Sequence, residues 1–157
     1  IGSRTLLVEI QALTSRTAFP APTRRASGVD FNRMSLIAAV LSRRIGMDLG
    51  GVDIYVNAVG GVDLEEPAAD LGVALAIASS FSNRAIDPLI CAFGEVGLSA
   101  EVRGTTQAAT RVLEAKRLGF QKAIVSADSL RAIGKADGIE VVTVRTLHEA
   151  LEAAVVL

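Results

Sequence analysis

Leu89-Ile-Cys-Ala-Phe93, stopped by Gly94-Glu95, and Lys122-Ala-Ile-Val-Ser126 bracket a stretch from about Thr106 to Leu118 that Gly119 closes. The two flanking runs are short and apolar, which is how strands buried on both faces read. The stretch between them is long enough for three helical turns, and a glycine directly after the last turn is a helix-stop signal. Glu101-Val102-Arg103 fits a short returning strand between the two. Strand, helix and strand in this order predict an α/β fold.

Outward from this stretch the alternation continues. Downstream, Asp128 to Gly134 reads as a short helix, Glu140 to Val144 as a strand, and Thr146 to about Val155 as a final helix capped by Thr146. Upstream, Pro67 suits the first turn of a helix running to about Ser82. That helix is apolar nearly all round between Leu71 and Ala78, so it belongs at the centre of the domain. Val52 to Val59 alternates as a strand and ends at Gly60-Gly61. Asn32 is the expected cap of a helix from Arg33 to about Ile45, where Met34, Ile37, Ala38, Leu41 and Ile45 fall on one face and Gly46 ends the run. Leu6 to Leu13 has strand composition, and residues 14–28, with Pro20, Pro22 and Gly28, read as a long connection or irregular hairpin. The fold class is therefore α/β, an α+β mixed sheet in a single domain spanning 1–157, without repeats.

The 157 residues suit one domain, and an apolar share of 50% supplies a core of Ala, Val, Leu and Ile. Only 4% is aromatic, which argues against stacking as the main means of holding single-stranded nucleic acid. One Cys (Cys91) excludes an internal disulfide framework, and one His (His148) excludes a histidine-rich metal centre. With a single Cys a reducing, cytoplasmic setting is expected, and no apolar run reaches the roughly 18 to 20 residues that span a bilayer, so no membrane partner is expected. The opening Ile1-Gly2-Ser3-Arg4 is neither an initiator Met nor a signal peptide and reads as the interior of a longer chain.

Charge is balanced overall at −1 but uneven along the chain. Residues 1–47 carry seven Arg against Glu9 and Asp30, a net of +5, whereas residues 48–102 carry nine acids and Arg84 alone, a net of −8. Such a distribution predicts either a solvated surface or a dipolar domain that attracts a polyanion or stacks head to tail on its own copies.

Motifs of chemistry are sparse. The chain has no phosphate loop, no G-x-G-x-x-G after a strand, no G-x-S-x-G elbow and no H-E-x-x-H. Gly60-Gly61 reads as a turn, His148 as a side chain of the last helix, and Cys91 as core. Glu65 and Glu66 stand at a helix N-terminus, where the macrodipole alone favours acids.

Gly94-Glu95-Val96-Gly97-Leu98, Glu101-Val102-Arg103, Lys116-Arg117-Leu118-Gly119-Phe120 and Lys122-Ala-Ile-Val125, with Val56-Asn57-Ala58-Val59-Gly60-Gly61 upstream, resemble the proteolytic domain of Lon. Adding Leu7-Val8-Glu9-Ile10-Gln11-Ala12-Leu13, Arg24-Arg25, Asn32-Arg33 and Glu66-Pro67-Ala68-Ala69-Asp70-Leu71, the whole chain is similar to the C-terminal Lon-like domain of the RadA (Sms) family of bacterial RecA-related DNA-repair proteins. Lon hydrolysis uses a Ser nucleophile activated by a Lys. Carried across without gaps, the resemblance puts Ala68 at the Ser position and Ala109 at the Lys position, so it implies a domain without catalytic residues. Ser99 and Thr110 are the nearest hydroxyls and Arg111 the nearest base, and arginine is a poor general base because it stays protonated.

The resemblance further implies homo-hexameric ring assembly, sequence-independent binding of single-stranded or branched DNA, and a part in ATP-driven helicase action during branch migration. RecA is an implied partner of the parent protein. ATP, Mg and Zn are implied for an N-terminal RecA-like ATPase and zinc finger whose motifs do not occur in these residues, so no cofactor and no metal site is expected here. Expected DNA contacts are Arg24, Arg25 and Arg33, followed by Arg103, Arg117 and Lys122, because arginine holds phosphate oxygens without reading bases. Two other readings stay open: a pure oligomerisation module without DNA contact, and a peptidase with a displaced dyad.

Overall fold

Val52–Ala58 forms a strand with neighbours on both sides, and both neighbours precede it in the chain. The computed structural model describes residues 7–157. In it, β1 (Ile10–Arg16) pairs antiparallel and β2 (Arg24–Ser27) pairs parallel with this central strand, β3, giving the order β1-β3-β2. A second, all-parallel sheet places β7 (Lys122–Ser126) between β4 (Ile90–Phe93) and β8 (Glu140–Val144). A two-stranded antiparallel ribbon, β5 (Glu95–Val96) with β6 (Val102–Arg103), follows directly on β4. Helices and strands thus combine as an α/β fold with mixed sheets, as the alternating sequence predicts.

The helices are α1 (Phe31–Val40), α2 (Asp70–Ser82), α3 (Ala108–Arg117), α4 (Leu130–Ile133) and α5 (Leu147–Ala153). α2 is central, as its all-round apolar stretch requires. Leu71, Val73, Ala74, Leu75, Ile77 and Ala78 are buried, and the helix touches β1, α1, β4 and α5. The larger core joins α1, β3, α2, β5, β6 and α5, while Phe93, Ala108, Val112, Ala115, Ala123 and Val125 belong to a second cluster between α3 and the parallel sheet. α5 opens on a reciprocal capping box, in which the Thr146 side chain accepts from the Glu149 amide and the Glu149 carboxylate accepts from the Thr146 amide.

Three local expectations are corrected. The first helix is capped by Asp30, whose carboxylate accepts from the Asn32 amide at 3.2 Å, rather than by Asn32. Its regular part ends at Val40, and Leu41–Ile45 continue as a π turn closed by Gly46 in the left-handed region. Residues 14–28 are not wholly connection, since β1 continues to Arg16 and Arg24–Ser27 form β2. Arg24-Arg25-Ala26-Ser27 has little strand propensity of its own, and the pairing with β3 imposes the extended form. Of the expected first strand, Leu6 lies outside the described residues, as does the opening Ile1–Arg4. Among the described residues, no helix is long and apolar enough to cross a membrane.

Gly28 closes the path from β2 to α1. It holds φ +74, and a Cβ there would stand 2.4 Å from the Val62 carbonyl oxygen, so only glycine lets the two segments touch.

Candidate functional site

Backbone bonds fix the turn that leads into α2. Pro67–Ala69 form a 3-10 turn, the Gly94 amide donates to the Ala68 carbonyl at 3.0 Å, and the Leu71 amide donates to the Gly94 carbonyl at 3.1 Å. The Gly94-Glu95-Val96-Gly97 segment is thereby stitched to the start of α2. Asp70, 2% exposed, locks the same junction. Its carboxylate accepts from the Val96 amide at 3.1 Å and from both Nε and Nη2 of Arg33. Burial pushes the Asp70 carboxyl above its ordinary value, with the Arg33 and Val96 hydrogen bonds pulling it back. The Arg33 guanidinium is held above its ordinary value chiefly by the Asp70 bond.

A groove of about 1570 Å³ runs along β1 and β4, the outer strands of their sheets, with α2 contributing Gly72, Leu75 and Ala76. Ala68 lines it and is buried, with a methyl group as its whole side chain. From α3 the lining side chain is Arg111. Its guanidinium donates to Glu66 Oε1 at 2.8 Å and to the Thr106 carbonyl at 2.9 Å, and sits 5.9 Å above the centre of the Phe93 ring. Glu66 is therefore one half of an ion pair beside Ala68, not simply an acid at a helix start. Ala109 is exposed on α3 and does not line the groove. The α3 residue that shares the groove lining with Ala68 is Arg111, two positions further on. Ser99 and Thr110 do not line the groove either, and the Ser99 amide is turned to the Glu101 carboxylate.

The six expected DNA contacts divide sharply. Arg24 turns inward, donating to the carbonyls of Val52 at 3.2 Å and Leu49 at 2.6 Å. Arg33 is committed to Asp70. Arg103 pairs with Glu101 at 2.7 Å, Arg117 pairs with Glu114, and Lys122 stands 4.0 Å from Glu140. The Arg25 side chain is exposed and makes no hydrogen bond or ion pair among the described residues, while its backbone belongs to the β2–β3 ladder. The basic excess of residues 1–47 is thus partly consumed internally, with Arg33 crossing to the acidic middle segment and Arg44 donating to the Leu98 carbonyl. Sequence spacing could not separate these roles, because inward and outward arginines on neighbouring positions of a strand look alike until the register is known.

The remaining candidates are quiet. Cys91 is half-buried and burial pushes its thiol up to about 11, which suits a core residue. His148 stands 3.2 Å from Glu152 on the exposed side of α5. Among the described residues no three His, Cys, Asp or Glu side chains come together in a way that holds a metal ion.

The chain is 49% identical over 151 residues to a protein of Halalkalibacterium halodurans named DNA repair protein RadA. It is homologous to RadA. A RadA protein of Bacillus subtilis is 47% identical over 153 residues, and one of Synechocystis is 45% identical over 124 residues. These alignments cover 96%, 98% and 79% of this chain respectively. The chain spans about a third of the length of the first two RadA relatives and a quarter of the third. No protein-family model matches it.

Proposed function

We propose that the chain is a Lon-like scaffold without peptidase activity, serving a RadA-type DNA-repair protein by ring assembly and sequence-independent DNA contact. The observation that carries the first half is Ala68. A serine-type hydrolase needs an oxygen nucleophile beside a base at the mouth of its groove, and here the groove is lined by the methyl group of Ala68 and by an arginine already paired with Glu66. An arginine cannot accept the proton of a hydroxyl at neutral pH. The alternative hydroxyls, Ser99 and Thr110, stand away from the groove lining. Incubation with a denatured casein-type substrate should release no peptides. Turnover that disappears on Ser99→Ala or Thr110→Ala would overturn the assignment.

DNA contact rests on fewer cations than the sequence implied, with Arg25 as the free member of the expected set. Such contact should be insensitive to base sequence and weaken steeply with salt. The engagement of Arg24 and Arg33 in the interior, and of Arg103, Arg117 and Lys122 in surface ion pairs, favours a second reading, an assembly module whose ring holds DNA through other parts of the protein. A salt titration of DNA binding separates the two. Affinity that falls on Arg25→Ala supports direct contact, and absence of binding at low salt leaves assembly alone. Homo-hexamer formation, a link to RecA, helicase action with ATP, Mg and Zn held by other parts of the protein, and a cytoplasmic setting belong to this same proposal.

A further inference from the structure

The outward face of the first sheet carries a cross-strand row whose residues also line the groove. In register, Leu13 of β1 stands opposite Tyr55 of β3, and Tyr55 stands opposite Arg25 of β2. The adjacent row is Gln11, Asn57 and Ser27. Partners directly opposite in a sheet share a face, with strands about 4.8 Å apart. Leu13 is 61% exposed and Tyr55 is 37% exposed, so the middle of this face is open. Its acids are engaged at the margins: Glu9 accepts from the Gln11 amide group at 2.7 Å, and Asp53 accepts from the Thr23 amide at 2.6 Å.

We propose that this face is a single-strand nucleic-acid site, with one base stacked on Tyr55 and the adjoining phosphate held by Arg25. The inference rests on the DNA role proposed above and assigns it a place and a mode. An aromatic ring beside an unpaired guanidinium, with an amide and a hydroxyl in the next row and no free carboxylate in either, matches the chemistry of a nucleotide: a π face, a phosphate, and polar base edges. Leu13 extends the apolar platform on the other side of the ring. A duplex hides its base faces within its own stack, so the ligand is a single strand. Aromatic content of 4% argues against a run of stacked bases, and one ring supplies one stacking contact on top of the electrostatic term.

The chain provides its own probe, since Tyr55 is its one tyrosine and it contains no tryptophan. The 157-residue chain is titrated with an end-labelled oligo-dT, following label anisotropy and tyrosine emission in parallel. Both signals should saturate together, with the emission quenched. Tyr55→Leu should weaken binding roughly five- to a hundredfold and leave the salt slope unchanged. Tyr55→Phe should restore it, which separates loss of stacking from loss of fold. Arg25→Ala should lower the salt slope by about one. Rising anisotropy with unchanged tyrosine emission, or equal binding by Tyr55→Leu, would overturn this site while leaving DNA contact elsewhere intact. No anisotropy change at low salt would overturn this site and the DNA role together. A quench caused by raising protein concentration without oligonucleotide would make the face a contact between copies and also overturn it.

Discussion

Replacing Arg33 with Met tests whether this arginine belongs to the interior or to a ligand. Its Nε donates to Asp70 Oδ1 at 3.2 Å while Nη2 donates to Oδ2, and the carboxylate is 2% exposed. In Arg33→Met the buried carboxylate keeps the Val96 amide as its one remaining donor among the described residues. Removing one partner of a buried pair costs about 3–5 kcal/mol. The Arg33 side chain is 29% exposed, so water reaches part of the site and the lower end, about 3 kcal/mol, applies. For a domain of this size that lowers the melting temperature by roughly 6–12 °C. Asp70→Asn keeps an acceptor for Val96 and frees a guanidinium that can turn to solvent, so it should cost less, about 1–2 kcal/mol. The double variant should melt higher than the sum of the two losses implies. The deficit of Arg33→Met should also shrink as pH falls, because a protonated Asp70 is no longer a buried charge. Thermal melts by circular dichroism, at neutral and acid pH, read all three. An Arg33→Met protein that melts with the parent and loses DNA affinity instead would refute the reasoning and return Arg33 to the surface.

Arg24→Ala should lower the melting temperature through loss of charged hydrogen bonds to Val52 and Leu49, each worth about 1.5–3 kcal/mol, while Arg25→Ala should leave the melt unchanged; equal melts for the two variants would contradict the register of β2. Glu101 is held below the ordinary carboxylate value of 4.5 mainly by Arg103, and Glu149 by the Arg145 amide. A lowered folded-state pKa stabilises fully above the unfolded value and is lost as pH falls through the folded one. Acid titration of stability should therefore show a loss below about pH 4.5 that is smaller in Glu149→Gln, measured by urea unfolding at stepped pH. Cys91, with its thiol near 11, should react slowly with iodoacetamide at pH 8 because only about one molecule in a thousand is thiolate, and quickly once urea unfolds the chain.

How much of this was legible beforehand follows from where the information sits. β7 and β8 stand where the sequence placed them, Lys122–Ser126 and Glu140–Val144, because an apolar run bounded by polar residues specifies a buried strand locally. α2 was legible as central for the same reason. β2 was not, since nothing in Arg24–Ser27 favours an extended chain until β3 pairs with it. The site shows the same division. Ala68 was found by resemblance, and its lack of a hydroxyl needs no coordinates. That Arg111, and not Ala109, joins it in the groove lining depends on the rotation of α3, which residue spacing alone leaves open. Tyr55 carried no motif. Its position on an open face follows from its parity with Leu13 and Arg25 across three strands, and parity is defined only once the register is known.

In both three-stranded sheets the middle strand is made after at least one of its neighbours. β1 and β2 leave the ribosome unable to pair until β3 has followed, with Arg16 waiting for Val52 and Ile10 for Ala58. Until β3 is made, the segment before it is unmatched, and apolar positions such as Ile10 and Ala12 lack the strand beside which they pack into the larger core. A pause in translation before β3 has cleared the exit tunnel would prolong that interval, whereas a later one would let the first sheet close.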